Sequence, residues 1–165
     1  MTEAGRPSRN RFVVPISLLA MLVMFVVVKL AWVDAGRRDL VRWVPVAEAS
    51  TLAGREQKIR MFDFSAAWCG PCRILEREVF ADPELSSMLN GSLIPVKIMD
   101  RQREDGRNSP AVAQLQEQYG VQGFPTLVFA DPSGAMIDRV DGYPGKAEIE
   151  NRLRNAIAIQ SGTLP

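Results

Sequence analysis

The two cysteines of this chain lie within one short run, Trp68-Cys69-Gly70-Pro71-Cys72. Two intervening residues bring both sulfurs onto one turn of chain, close enough to form a disulfide. A strand-like segment precedes the run and a helix-like segment follows it. Because the start of a helix favours the thiolate form, the pKa of the first thiol should be lowered. The pattern predicts a dithiol that is alternately oxidised and reduced.

A single carboxylate accompanies this run. Asp63 lies six residues before Cys69, between Phe62 and Phe64 in an apolar strand-like segment. Burial would raise the pKa of Asp63 and allow it to take the proton from Cys72 through water. The alternative is a carboxylate that points outward from the edge of a sheet.

Composition excludes several other classes of protein. The chain has 165 residues, 47% of them hydrophobic, and a net charge of +1, so no charge imbalance indicates nucleic acid as a partner. Two cysteines are too few for a disulfide-stapled scaffold, and both belong to one motif. The absence of histidine argues against a zinc or copper site, so we expect no metal.

The elements that would position the motif follow from periodicity and from capping residues. Helices are predicted over residues 45–58, 69–80, 82–91, 109–120 and 146–159, and strands over 59–64, 93–99, 126–130 and 135–140. The last two strands should form a hairpin, and the polar stretch 100–108 a solvated loop. This order predicts one α/β domain.

An apolar run begins at residue 12, after a basic tail formed by residues 1–11, and continues to residue 33. Its length fits one transmembrane helix over residues 12–33, with Lys29 and Trp32 as interface anchors. The alternative is a secretory signal cleaved before Gly36.

The remaining boundaries follow from this anchor. We expect a charged tether over residues 34–43, a folded domain over 44–160 and a short tail over 161–165. The charge rule alone does not fix the orientation, because basic residues flank the apolar run on both sides. Since a short tail before an apolar run resembles an export signal, we place the C-terminal part outside the cytoplasm.

Three features together resemble thioredoxin over residues 44–159: the cysteine run 68–72, Asp63, and the run Gly123-Phe124-Pro125-Thr126. The segment EVFADPE at residues 78–84 resembles, more narrowly, the C-terminal thioredoxin-like domain of the transmembrane thiol-disulfide interchange reductases. The resemblance implies the thioredoxin fold, a central mixed β-sheet flanked by helices. Its redox group would be the cysteine pair itself, with no cofactor.

Roles for the site residues follow from the residue types and from this resemblance. Cys69 would be the nucleophile, and Cys72, more buried, the resolving thiol. The resemblance implies that Pro125 forms a cis peptide bond packed against the cysteine pair, leaving the backbone of Phe124 free to pair with an extended substrate. The alternative is an ordinary turn proline before a strand. Three residues of the cysteine run would also contact substrate: Trp68, Gly70 and Pro71.

Two functions remain open at this point. The first is a monomeric, membrane-anchored reductase on the periplasmic side of the inner membrane, which acts on oxidised exported proteins and is recharged by a membrane electron donor. The second is a non-catalytic module that uses the same fold to bind peptides. The paired thiols favour the reductase, because a binding module does not need them.

Overall fold

The computed structural model describes residues 16–35 and 39–163, which belong to two compact units divided after Ala35. The first unit contains one helix, α1, over Ile16–Ala35. No helix in the part of the chain that the structure describes is both long and apolar enough to cross a membrane. The predicted tail 1–11, the first residues of the predicted anchor and the side chain of Trp32 lie outside the described residues.

The second unit is built on a mixed four-stranded sheet. Its strands are β1 (Arg60–Ala66), β2 (Ile94–Asp100), β3 (Thr126–Ala130) and β4 (Met136–Asp141). They lie in the order β2-β1-β3-β4, with β1 parallel to β2 and antiparallel to β3, and with β4 antiparallel to β3. The strand that precedes the cysteine run therefore lies inside the sheet, with a neighbour on each side.

Helices flank this sheet. They are α2 (Val46–Glu56), α3 (Gly70–Leu75), α4 (Pro83–Ser92), α5 (Gln102–Asp105), α6 (Pro110–Gln118) and α7 (Lys146–Gln160). A π-helical turn over Glu76–Phe80 continues α3 without a break. The mixed sheet and its helices confirm the predicted α/β fold.

Alternation along β1 separates two hydrophobic cores, because successive side chains of a strand point to opposite faces. Phe62 and Phe64 pack with α2 and α6 on one face. Met61 belongs to the opposite core, with α4, α7 and the π-helical turn. Asp63, two residues after Met61, lies on the same side of the strand as Met61.

The polar stretch after β2 is more ordered than the predicted solvated loop. One helical turn, α5, lies within it, and Asp100 at its start is buried. The Asp100 carboxylate accepts hydrogen bonds from the Gln102 N–H (3.1 Å), Asn108 (2.6 Å) and Gln116 (2.9 Å). A buried carboxylate with three donors fixes the path of this segment.

The folded chain begins before the predicted boundary at residue 44. The Asn90 side-chain amide accepts from the Arg42 N–H (2.8 Å) and donates to the Leu40 carbonyl (3.0 Å). These two hydrogen bonds join residues 40–42 to α4, which spans Pro83–Ser92, within one residue of the predicted 82–91.

Candidate active site

Cys69 and Cys72 form a disulfide, with the sulfurs 2.04 Å apart. Cys69 is the N-cap of α3, and its Sγ accepts a hydrogen bond from the Cys72 N–H at 3.1 Å. The two residues are almost equally buried, 3% and 2% exposed. Exposure therefore does not distinguish them as the prediction assumed; the difference is that Cys69 faces the free N–H groups of the helix start.

The residues between the cysteines suit this turn. Pro71 lies in the first turn of α3, where its missing N–H costs no helical hydrogen bond. A Cβ atom added at Gly70 would meet nothing within 4 Å, so the space beside the disulfide is open at this residue. A substrate could approach the sulfurs from this side.

Asp63 lies within the sheet and is 1% exposed. Neither of its carboxylate oxygens has a hydrogen-bond partner among the described residues. Burial raises the pKa of Asp63 from 3.8 to about 7; the Lys97 ammonium opposes this effect, and the charges of Glu76 and Asp39 add to it. The alternative of a carboxylate at the sheet edge is wrong, because β1 has a strand on each side.

Lys97 is a member of the site that the sequence analysis did not identify. It is the register partner of Asp63 across the parallel β1–β2 pair. Its ammonium forms ion pairs with the carboxylates of Glu76 and, at 3.5 Å, Asp39, and it lies 5.2 Å from the centre of the Trp43 ring. Burial alone would lower the pKa of Lys97, but the Glu76 hydrogen bond and the surrounding carboxylates raise it.

Two sequence signals could have indicated this cluster. Lys97 is the single charged residue within the apolar segment 94–99, which is unusual in a buried strand. Glu76 follows Cys72 by four residues, the spacing that places two side chains on one face of a helix. No comparable signal exists for Asp39, because it approaches Lys97 through tertiary contacts.

Phe124 and Pro125 lie in the loop before β3. The peptide bond between them is cis, which confirms the isomer that the family resemblance implied. Phe124 packs against Ala66 and the two cysteines. The loop is braced by Thr126, whose hydroxyl donates to the Gly123 carbonyl at 2.9 Å.

Trp68 connects the cysteine run to this loop and remains 46% exposed. Its ring meets the ring of Phe124 edge-on, with centroids 5.9 Å apart. The Arg103 guanidinium lies over the Trp68 ring, 5.6 Å from its centre. The segment 101–108 therefore reaches the rim of the candidate site through Arg103.

The fold and the paired cysteines define a thioredoxin-like thiol-disulfide oxidoreductase. The chain belongs to the thioredoxin-like domain family, whose model matches residues 46–157. The redox group of this family is the cysteine pair, not a bound cofactor. Within the described ranges, no group of three or more acidic or sulfur side chains could hold a metal ion.

Known proteins resemble the chain over the same region. It is 31% identical over 120 residues to the thiol:disulfide interchange protein DsbD of Photorhabdus laumondii, covering 72% of this chain but 20% of that protein. A thioredoxin from Thermus thermophilus has a TM-score of 0.58 at 28% identity, covering 70% of this chain and 85% of that one. A DsbH oxidoreductase has a similar fold, with a TM-score of 0.61 at 24% identity and coverage of 71% and 84%. The chain thus spans about a fifth of the length of the DsbD relative that it matches.

Proposed function

We propose that this protein is a membrane-anchored reductase that transfers electrons from the Cys69 and Cys72 thiols to disulfides of exported proteins. The observation that carries the proposal is the combination of three features: a disulfide at the start of α3, a buried carboxylate on the preceding strand, and a loop with a cis proline whose Phe124 packs against both cysteines. Each group has a part in a two-step exchange.

In the first step, the Cys69 thiolate attacks one sulfur of a substrate disulfide. A bond forms between Cys69 Sγ and that sulfur, and the other substrate sulfur leaves as a thiolate that takes a proton from water. The Cys72 N–H, which points at Cys69 Sγ from 3.1 Å, and the other free N–H groups of the helix start favour the attacking thiolate. The product is a mixed disulfide.

In the second step, Cys72 attacks Cys69 Sγ and releases the second substrate sulfur. Cys72 must first lose its proton, and we assign Asp63 as the acceptor, through water. A carboxyl with a pKa of about 7 can exist in both protonation states near neutral pH. Asp63 then returns the proton to solvent, and the Cys69–Cys72 disulfide remains.

Substrate would bind across the loop of Phe124 and Pro125. Within the described chain, the backbone of Phe124 makes no hydrogen bond, so its N–H and carbonyl can pair with an extended substrate segment. Trp68 supplies an exposed ring beside this position, Gly70 leaves the approach to the sulfurs open, and we include Pro71 in the surface that substrate contacts. Backbone pairing would make binding tolerant of substrate sequence.

The proposed anchor is the apolar run 12–33, of which residues 16–33 belong to helix α1. Large apolar side chains of α1 between Leu18 and Val28 are exposed, and a lipid environment would cover them. We place the oxidoreductase domain on the extracytoplasmic side. A reductant there must be recharged, so the proposal includes a membrane electron donor.

Trapping in cells tests the function directly. In Cys72→Ser the second step is blocked, so substrates should accumulate as mixed disulfides on Cys69 and dissociate on reduction. The control is the double variant Cys69→Ser/Cys72→Ser, and equal recovery from both proteins would contradict the exchange function. Reporter fusions test the location. A reporter that is active only in the cytoplasm should be inactive when it is fused to the C-terminus, and activity of this fusion would contradict the proposed side.

A further inference from the structure

The segment between α1 and α2 was predicted to be a tether, but residues 39–44 are bonded along the oxidoreductase domain. The Leu40 N–H donates to the Phe80 carbonyl at 2.8 Å, and the Val44 N–H donates to the Pro95 carbonyl at 2.8 Å. Val41 is buried in the core that contains the π-helical turn. This segment therefore has a fixed path beside the elements that carry the site.

The path brings Asp39 to Lys97. Its Oδ1 accepts from the Val41 N–H at 2.9 Å, and its Oδ2 accepts from the Trp43 indole N–H at 2.7 Å. The same Oδ2 lies 3.5 Å from Lys97 Nζ, and the Asp39 side chain is 28% exposed. The Trp43 ring packs edge-on against Phe80, with centroids 5.0 Å apart. Two hydrogen bonds and one ion pair therefore hold the carboxylate in place.

Lys97 connects this carboxylate to the buried acid of the site. The charged groups that act on Asp63 are Lys97 from β2, Glu76 from the π-helical turn, and Asp39 from the incoming segment. Lys97 favours the ionised form of Asp63, whereas the two carboxylates oppose it, both directly and by balancing the charge of Lys97. Removing the Asp39 carboxylate leaves more of the positive charge of Lys97 to act on Asp63, so the pKa of Asp63 should fall.

We propose that Asp39 is a positioning residue for the exchange reaction: by holding Lys97 and Trp43 beside the site, it sets the pH range in which Asp63 can accept the Cys72 proton. The inference rests on the proposed role of Asp63 in the second step. Residues 39–44, which follow α1 in the sequence, would then help to set the pKa of the acid that assists the exchange reaction.

The test measures the titration of Asp63 itself, so its result does not depend on whether the protein reduces substrates. The full-length oxidised protein is labelled with ¹³C at its aspartate carboxyl groups, and the Asp63 signal is assigned by its loss in Asp63→Asn. In Asp39→Asn we expect the Asp63 midpoint to fall by about half a pH unit or more. Asp39→Ser is the second charge-free variant, because its hydroxyl can still accept the Val41 N–H.

Asp138→Asn is the matched control. Asp138 is 26% exposed and ion-paired with Arg152 at 3.0 Å, but it lies on β4, which does not neighbour β1. Its variant should leave the Asp63 midpoint unchanged. An unchanged midpoint in a folded Asp39→Asn or Asp39→Ser protein, judged by circular dichroism, would overturn the proposal. An equal fall in Asp138→Asn would overturn it too, because the effect would then reflect net charge alone.

Discussion

Asp63 and Lys97 occupy paired positions on neighbouring parallel strands, β1 and β2, inside the sheet. Side chains at paired positions lie on the same face, so the ammonium is the cation closest in register to the buried carboxylate. Burial nevertheless prevails over this attraction and raises the pKa of Asp63 to about 7, because Lys97 is also bound by Glu76 and Asp39. The acid is thus neither fully neutralised by its partner nor freely hydrated.

This balance predicts that Asp63 destabilises the oxidised protein at neutral and alkaline pH. The unfolded carboxyl ionises near pH 3.8 and the folded one near 7, so wild-type stability falls as the pH rises through this window and stays lower above it. Asp63→Asn cannot ionise and should raise the free energy of unfolding at pH 8 by up to about 4 kcal/mol. Denaturant unfolding at pH 8 and pH 3.5 measures the effect, which should vanish at the lower pH; equal effects at both would contradict it.

The same carboxyl should control the second step of exchange. With a chromogenic aromatic disulfide as substrate, the first thiol released reports the attack by Cys69, and the second reports resolution by Cys72. The second rate should rise through pH 7 in wild type, whereas in Asp63→Asn it should lose this inflection and fall about tenfold or more at pH 7. Stopped-flow absorbance separates the two releases. A second phase identical to wild type at every pH would exclude Asp63 as the proton acceptor.

Trp68 should contribute to capture of protein substrates more than to folding. Its ring is 46% exposed and contacts Phe124 by its edge. Trp68→Ala should lower kcat/KM for a protein disulfide by about tenfold, because an exposed aromatic anchor is lost, with little change in Tm. A small aromatic disulfide is the control substrate and should be much less affected. If kcat/KM fell equally for both substrates, Trp68 would instead act on the reactivity of the cysteines, which would contradict the prediction.

Asp100 should stabilise the segment that carries Arg103 to the site rim. Its carboxylate accepts from Gln102, Asn108 and Gln116, and the residue is 7% exposed. Asp100→Ala leaves these donors without their acceptor and should cost about 1–3 kcal/mol of unfolding free energy. Thermal unfolding measures the loss. Asp138→Ala, in which a partly exposed surface ion pair is lost, should cost less, and the reverse order would contradict this account.

Local patterns were sufficient to predict the elements around the cysteines. The capping residues Asp82 and Ser109, each followed by proline, start α4 and α6 as expected, and β3 and β4 form the predicted hairpin. These features depend on residues that are close in the sequence, so local sequence patterns predict them. Asp63 could be predicted as buried because apolar residues flank it.

The charge cluster around Lys97 could be predicted only in part, because Lys97 and Glu76 carry sequence signals but the contacts between them do not. Asp39, Glu76 and Lys97 come from three separate segments, and their contacts depend on the strand register and on the path of residues 39–44. The contact between Asn90 and the Arg42 N–H has the same origin, because it joins residues 48 positions apart in the sequence. Such contacts depend on tertiary packing, which local periodicity does not encode.

The most direct measurement of the central claim is the reduction of insulin by dithiothreitol in the presence of the purified full-length protein. Wild type should accelerate the reaction, Cys69→Ser should abolish the acceleration, and Cys72→Ser should form a mixed disulfide with insulin that turns over slowly. These outcomes follow if Cys69 attacks and Cys72 resolves. Equal rates for wild type and the folded Cys69→Ser variant would contradict the assignment of this cysteine pair as a catalytic dithiol.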